Sequence, residues 1–502
     1  MNILNIVNFI RGSEPRNRSL DLLESVKKQL NLSKKYHLPT TFLFMYNALT
    51  KPEFVDLFRD KPEYIELGVW LEADQTLVEN IGLPWRGREG FDWDWHSNVG
   101  LLVGYTPSER EKLLDRIMQT FYGRFEYYPK TVGTWAQDAY SLNYLSEKYG
   151  IIAALTCKDQ WGTDGYSLWG GYYNQAYYPS KNNAFCPAAS KQQQIDVPVF
   201  RMLGSDPIRQ YSDGVNTSAQ LVVSLEPSYP ESGGNPEWVD WFLNTIYDPN
   251  RLSFGYAQAG QENSFGWGKI RNGYYYQIER FVQLRAEGKL DIMTVADAGA
   301  WYRGRYPLTP ASSVTAKDGA LSTVWYYNRY YRCNIYADKS QLKIRDLMRF
   351  DEAYPERYLS KPCPSKDLYY DNLPVIDSYR WASAQGSEAG GYLLRGGKSV
   401  VLTGALVTEK TDENTLKVLA PAEGGNITIW FRENSIDFEG GCVLKIVWAP
   451  GHCNMQIDTD GSNINCRYEG WDYSVQLKGA KCTMIDNGML ICPQSNTFSI
   501  CI

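Results

Sequence analysis

Short apolar runs alternate with amphipathic stretches through the first 310 residues of the chain. Apolar runs bounded by turn residues predict strands, and apolar residues spaced three and four apart predict helices. The predicted strands cover residues 4–10, 40–45, 65–71, 131–135, 151–156, 197–203, 221–225, 252–258 and 291–295. The predicted helices cover residues 19–36, 108–122, 140–149, 236–246 and 273–287.

Alternating strands and helices are typical of parallel β-α units, and about seven to nine such units favour a closed barrel. An open doubly wound sheet is the alternative, but no G-x-G-x-x-G sequence follows the first strand. Beyond residue 312 the pattern is β throughout, except for a short helix predicted at 341–349. We therefore predict an α/β chain with a distorted (β/α)7-type barrel in residues 1–312 and an all-β sandwich domain in residues 313–502.

Charge and hydropathy narrow the class of protein. The net charge of −6 gives no reason to expect binding to nucleic acid or to an anionic membrane surface. No apolar run is long enough to predict a membrane span. The first residues are typical of a strand rather than of a signal peptide, so we expect a cytoplasmic protein. An exported protein with its signal removed would show the same pattern.

Aromatic residues suggest a type of ligand. The chain has 37 Tyr and 16 Trp, whose rings combine an apolar face with a polar edge. A sugar offers the matching surface, although rings of this kind also fill the cores of large domains. Residues 169–183 concentrate rings and amides in a stretch without helix or strand pattern. Such a loop is typical of a binding site, and a packed surface loop is the alternative.

Carboxylates follow almost every predicted strand. In a β/α barrel the functional side chains lie at the carboxyl ends of the strands. A single acid at such a position is often only a helix N-cap, but a whole set on one face indicates a site. The acids are Glu14, Glu72, Asp138, Asp159, Glu226, Glu262 and Asp297.

Other catalytic chemistries lack their residues. Three His and no C-x-x-C pair give little basis for a zinc site. No G-x-S-x-G sequence and no phosphate-binding loop is present. Two carboxyl groups that flank a glycosidic bond can break it without a cofactor. We therefore expect carboxylate chemistry, with no metal and no cofactor.

Two motifs carry a resemblance to a known superfamily. They are Pro129-Lys-Thr-Val-Gly-Thr-Trp-Ala-Gln-Asp138 and Gln261-Glu-Asn-Ser-Phe-Gly-Trp267. On these residues the chain resembles the glycoside hydrolase/deacetylase barrel superfamily, nearest to glycoside hydrolase family 57 and the NodB-type polysaccharide deacetylases. The first motif is similar to the G-x-W-x-x-E run that presents the family 57 nucleophile, with Asp138 in place of Glu. The second is similar to the motif that supplies the acid/base, with Glu262 as the nearest carboxylate.

The resemblance implies a glycoside hydrolase that acts on an oligo- or polysaccharide. Asp138 is the predicted nucleophile, Glu262 the acid/base and Glu226 the reserve acid. Acids, amides and an amine are expected to hold sugar hydroxyls, and rings to stack on sugar faces. The predicted substrate-binding residues are Glu72, Trp135, Asp159, Trp161, Tyr173, Asn174 and Lys181.

Two alternatives remain at this point. One is a metal-dependent carbohydrate deacetylase that uses Glu14, Glu72 and His96. The chain lacks the H-x-x-x-H and paired Asp residues of NodB enzymes, so the resemblance does not extend to that chemistry. The other is a non-catalytic carbohydrate-binding protein on a barrel that has lost activity.

Overall fold

The computed structural model describes residues 1–211, 223–384 and 388–502. Up to residue 305 the described chain contains both strands and helices. The strands are β1 (Asn2–Ile10), β2 (Thr40–Phe44), β3 (Ile65–Trp70), β4 (Thr131–Gly133), β5 (Ala153–Thr156), β6 (Gln160–Thr163), β7 (Tyr166–Trp169), β8 (Ala176–Tyr177), β9 (Pro179–Ser180), β10 (Asn183–Pro187), β11 (Val199–Arg201), β12 (Gly255–Ala259) and β13 (Asp291–Met293). The helices are α1 (Leu22–Tyr36), α2 (Tyr46–Leu49), α3 (Pro52–Val55), α4 (Gln75–Asn80), α5 (Ser97–Gly100), α6 (Pro107–Phe125), α7 (Ala139–Tyr149), α8 (Pro236–Ile246), α9 (Trp267–Ala286) and α10 (Val295–Arg305), with 3-10 turns at Asp56–Phe58, Leu102–Gly104 and Asn263–Phe265.

Nine of these strands form one sheet in the order β12-β1-β2-β3-β4-β5-β11-β8, with β13 also paired to β1. All pairs are parallel except β8 with β11. The strands are buried almost throughout because helices pack around the sheet. This arrangement confirms an α/β, barrel-like domain. The strand predicted at residues 221–225 begins outside the described residues, and Ser224 and Leu225 form a bend.

From Ser312 onward the chain is made of strands. They are β14 (Ser312–Asp318), β15 (Leu321–Tyr327), β16 (Tyr331–Asp338), β17 (Gln341–Arg349), β18 (Leu368–Asp371), β19 (Leu373–Asp377), β20 (Gly390–Arg395), β21 (Lys398–Ser399), β22 (Val407–Lys410), β23 (Leu416–Ala420), β24 (Ile427–Phe431), β25 (Ser435–Glu439), β26 (Val443–Val447), β27 (Gln456–Thr459), β28 (Asn463–Tyr468), β29 (Trp471–Lys478), β30 (Ala480–Ile485), β31 (Gly488–Pro493) and β32 (Thr497–Cys501). This confirms a β-rich region after the barrel.

Two large antiparallel sheets organise the β-rich region. One runs β14-β15-β16-β17-β20-β26-β31-β30, with β19 and β21 attached, and the other runs β22-β23-β24-β25-β32-β29-β28-β27. Apolar side chains of both sheets, such as Ile344 and Ile446 from the first and Ile429 and Phe498 from the second, belong to one core cluster. A third, small sheet joins β18 to β7 in parallel, so the β-rich region also pairs with the barrel.

The prediction of a helix at residues 341–349 was wrong. These residues form β17, which pairs with β16, β19 and β20. The reason is that polar residues of this segment are buried rather than solvated: Arg345 donates to Asn334, and Asp346 accepts from Arg332. A prediction that assumes charged residues are exposed therefore does not identify this strand. The predicted structureless loop at 169–183 likewise contains the short buried strands β8 and β9.

Two further properties concern the cysteines and the helices. In the described part of the chain, all ten cysteines are free thiols. None of the helices described above has both the length and the apolar character needed to cross a bilayer.

Candidate functional site

Arg11 is the centre of a buried cluster of charges at the carboxyl end of β1. Its Nε donates a 2.7 Å hydrogen bond to Oε2 of Glu262, and its Nη1 donates to Oε2 of Glu72. All three side chains are buried. The guanidinium also lies over the ring of Trp93, 4.0 Å from its centroid, which limits its orientation further. One cation thus holds two carboxylates from different strands in a fixed position.

Strand geometry explains why these side chains meet. The strands β12, β1, β2 and β3 run parallel, so their carboxyl ends lie along one edge. Between β12 and Glu262 the chain passes through Gly260, whose φ is +113°. A Cβ at this position would overlap the carbonyl oxygen of Val7 in β1. Gly260 therefore lets the chain cross β1 closely and present Glu262 to Arg11.

Glu226 is the third acid of this cluster, and it lies on a turn that α9 holds in place. Gln277 of α9 donates hydrogen bonds of 2.8 and 2.7 Å to two backbone carbonyls of the turn. Gln261 donates a 3.1 Å hydrogen bond from Nε2 to Oε1 of Glu226, which links the turn to the residue before Glu262. Burial, together with the negative charge of Glu262, raises the pKa of Glu226 to about 7.

The two carboxyl groups have contrasting surroundings. Glu262 has a guanidinium against it, whereas Glu226 contacts an amide and the hydroxyl of Ser224, at 3.3 Å. Burial alone would lower the pKa of Arg11, but the adjacent Glu262 and Glu72 outweigh it and raise that pKa. Arg11 therefore stays cationic. The cluster thus pairs an acid that can exchange its proton near neutral pH with a carboxyl group that an arginine contacts.

An aromatic and cationic rim extends from the buried cluster. Arg16 pairs with Glu14 at 2.7 Å and lies 5.4 Å from the ring centroid of Trp93 and 5.2 Å from that of Trp95. Its side chain is 49% exposed, against 3% for Arg11. Ring faces and guanidinium groups therefore lie next to the buried acids on the side nearer to solvent.

Asp138 lies in a different environment. Its Oδ1 accepts a 2.8 Å hydrogen bond from the backbone N–H of Ser141, which caps α7, and a 3.0 Å hydrogen bond from buried Arg110. The side chain is 1% exposed. A cap and a buried ion pair are structural roles. None of its described contacts joins Asp138 to Glu226 or Glu262, so these contacts argue against the predicted nucleophile role.

Asp159 is also bound by arginines rather than open to a ligand. One oxygen accepts a 2.8 Å hydrogen bond from Arg201, and the other pairs with Arg332 of β16. Arg332 in turn pairs with Asp346 of β17 at 2.8 Å. All four side chains are buried. Asp159 therefore ties the end of β5 to the β-rich region, and these contacts leave it little capacity to hold sugar hydroxyls.

Three other predicted binding residues have protein partners. The ring of Tyr173 stacks on Trp325 of β15, with centroids 3.9 Å apart. Asn174 is buried and donates a 3.3 Å hydrogen bond to the backbone carbonyl of Tyr256. Lys181 is exposed and donates to a backbone carbonyl at 3.1 Å. None of these contacts places the three side chains beside Glu226 or Glu262.

Two predicted stacking residues keep part of their surface free. Trp135 is half-buried and meets Phe9 and Trp70 edge to face, with centroids 5.5 and 5.2 Å away. Trp161 is half-buried beside Trp169. Because Phe9 lies in β1, near Arg11, Trp135 is the better placed of the two to contact a ligand at the cluster.

The metal site considered from the sequence does not fit the geometry. Glu14 and Glu72 each pair with an arginine, and Nδ1 of His96 lies 3.6 Å from an Asp94 oxygen. Over the described ranges, no group of three or more His, Cys, Asp or Glu side chains is arranged to hold a metal ion. A cation bound at Glu72 would also face the guanidinium of Arg11, which repels it.

Comparison of the structure with solved structures gives a match over most of the chain. A candidate glycoside hydrolase/deacetylase from Parabacteroides distasonis superposes with a TM-score of 0.53 at 16% sequence identity, covering 80% of this chain and 94% of that one. The chain therefore has the same fold as this solved structure. The barrel fold that the resemblance implied is confirmed by this comparison.

Other comparisons are weaker. A candidate polysaccharide deacetylase from Mycobacterium smegmatis has a TM-score of 0.38 at 13% identity, covering 60% of this chain and 90% of that one. A family 57 branching enzyme from Thermococcus kodakaraensis has a TM-score of 0.33 at 9% identity, covering 61% and 70%. No family model matches the sequence, and no curated protein does.

Sequence reasoning missed the residue that assembles the cluster. Arg11 directly follows the first strand, and a cation at that position among acids at other strand ends was the available signal. Gln261 was also missed, although it lies beside the predicted Glu262. The partners of Asp138 and Asp159 carried no such signal, because Arg110 and Arg332 are remote in sequence.

Proposed function

We propose that this protein is a carbohydrate-active hydrolase that cleaves a glycosidic bond with Glu226 and Glu262. The observation that carries the proposal is the contrast between two buried carboxyl groups at one edge of the sheet. The pKa of Glu226 is raised to about 7, so that it can donate a proton near neutral pH, whereas Glu262 is paired with Arg11. Divergent environments of this kind separate an acid from a base or nucleophile. The glycoside hydrolase/deacetylase fold supports the same class of reaction.

In the proposed reaction, Glu226 donates its proton to the glycosidic oxygen as the bond from that oxygen to the anomeric carbon breaks. In one form of the reaction, Glu262 bonds to the anomeric carbon, and a water that gives its proton to Glu226 then hydrolyses this ester and frees Glu262. In the other form, the oxygen of a water attacks the anomeric carbon while Glu262 takes the proton of that water. Arg11 positions Glu262 for this step through the Nε hydrogen bond. Trp135 and the rim ring Trp95 are proposed to contact the sugar faces.

The test compares Glu226→Gln and Glu262→Gln with the unmodified protein on a panel of polysaccharides. Loss of a general acid or nucleophile lowers turnover by about 10²-fold or more. Released reducing ends report glycosidic cleavage, and released acetate reports deacetylation. Glu231→Gln is the matched control, because Glu231 is exposed on the same turn as Glu226.

The outcomes separate the candidate functions. Reducing ends that disappear in both cluster variants but persist in the control support the proposal. Acetate without new reducing ends would replace it with deacetylation, and sugar binding without either product would replace it with a binding function. The anomeric configuration of the first product, followed by NMR, then shows whether Glu262 acts directly or through water.

A further inference from the structure

Lys158 is a buried cation next to the proposed acid that the reaction above does not use. It lies two residues after β5, at the same edge of the sheet as Glu226 and Glu262, and 6% of its surface is exposed. Its ammonium group makes no hydrogen bond or ion pair with any residue in the described ranges. It is close enough to Glu226 for the two charges to interact. Burial lowers its pKa.

The acids around Lys158 are already matched with other groups. Both oxygens of Asp159 pair with arginines, and Glu262 pairs with Arg11. Among the described acids, Glu226 is therefore the one left to offset the ammonium charge. In its role as a proton donor, however, Glu226 is neutral. A protonated Lys158 then has no counterion among the described residues, which is costly unless a ligand supplies one.

We propose that Lys158 binds an anionic group of the substrate, so that the enzyme acts on an acidic glycan. The anionic group is a carboxylate or a sulfate ester on a sugar next to the bond that breaks. An ammonium suits either group, because it acts as a compact point charge with three donors. This inference rests on the proposed function, since it names the substrate class of that site.

The test measures binding and cleavage of matched polymers. Polygalacturonate is compared with its carboxyl-reduced form, and carrageenan with its desulfated form. Binding is followed by calorimetry in a Glu262→Gln background, so that turnover does not interfere. We expect the acidic polymer of one pair to bind about tenfold or more tightly than its neutral form, which is the range for a buried charge pair. Lys158→Met removes this preference, and Lys158→Arg retains most of it.

Controls and outcomes are defined in advance. Lys112→Met changes an exposed lysine on α6 and leaves the preference unchanged. Circular dichroism melting shows that Lys158→Met is folded. Equal binding of acidic and neutral polymers, binding of none of the four, or a preference that survives Lys158→Met would each overturn the inference. Cleavage of a neutral polymer as fast as its acidic form overturns it while leaving the proposed function intact. A Lys158-dependent preference without any cleavage overturns the proposed function alone.

Discussion

Replacing Glu226 by Gln gives a direct test of the environment proposed for the acid. The ordinary pKa of a glutamate is 4.5, and burial with the charge of Glu262 raises that of Glu226 to about 7. The folded protein therefore binds a proton more tightly at this position than the unfolded chain does. Stability from this group is complete below pH 4.5 and is lost as the pH rises through 7. Glutamine carries no charge at any pH and escapes this loss.

The size of the effect follows from the two pKa values. Their difference, at about 1.4 kcal/mol per pH unit, corresponds to about 3 kcal/mol. Glu226→Gln should therefore match the unmodified protein in stability near pH 4 and exceed it by about 3 kcal/mol at pH 8. For a domain of this size such a gain raises the melting temperature by about 5 °C.

Thermal unfolding of both proteins, measured from pH 4 to pH 9 by circular dichroism, provides the assay. Glu231→Gln, at an exposed position of the same turn, is the control for replacing a glutamate by glutamine in this segment. A Glu226→Gln variant that is equally stable, or less stable, at pH 8 would refute the reasoning. It would mean that folding does not raise the pKa of Glu226, which removes the basis for its role as the proton donor.

Two further predictions concern Asp138 and the crossing of β1. Asp138→Ala removes the salt-bridge partner of buried Arg110 and the N-cap of α7, and it should destabilise the fold by about 3–5 kcal/mol. Thermal unfolding measures this loss. Full stability with lost turnover would restore Asp138 as the predicted nucleophile. Gly260→Ala places a Cβ against the backbone of Val7 and should abolish activity or folding. Gly268 has open space around it, so Gly268→Ala should change neither. An active, stable Gly260→Ala variant would show that the close crossing of β1 is not required.

The strands and helices of the barrel could be predicted because their signals are local. Strands such as β2 and β3 are apolar runs between turns. The helix α8 begins at Pro236, directly after its N-cap residue Asn235, and it was predicted with its observed ends. The strand β17 was not predicted, because its charged residues have buried partners on the neighbouring strand. Periodicity identifies burial only where buried residues are apolar.

The candidate site could be predicted only as an edge of the sheet. Acids after β3 and β12 indicated one edge of the sheet, and Glu72 and Glu262 do meet there at Arg11. Which acids stay available depends on the arginines that reach them. Arg110 pairs with Asp138 and Arg332 pairs with Asp159, so these two acids are less available to a ligand. The contacts form only because the fold brings distant parts of the chain together. No spacing rule within the strand ends could reveal this.

The link from Asp159 through Arg332 to Asp346 limits how this chain can be divided. A truncated protein ending after α10 would keep Asp159 but lose Arg332, and it would uncover the ring face of Tyr173 that Trp325 shields. The barrel half is therefore not expected to be stable without the β-rich half. Any recombination that exchanged the β-rich half during evolution had to supply an arginine on the third incoming strand, so the two halves are expected to be inherited together.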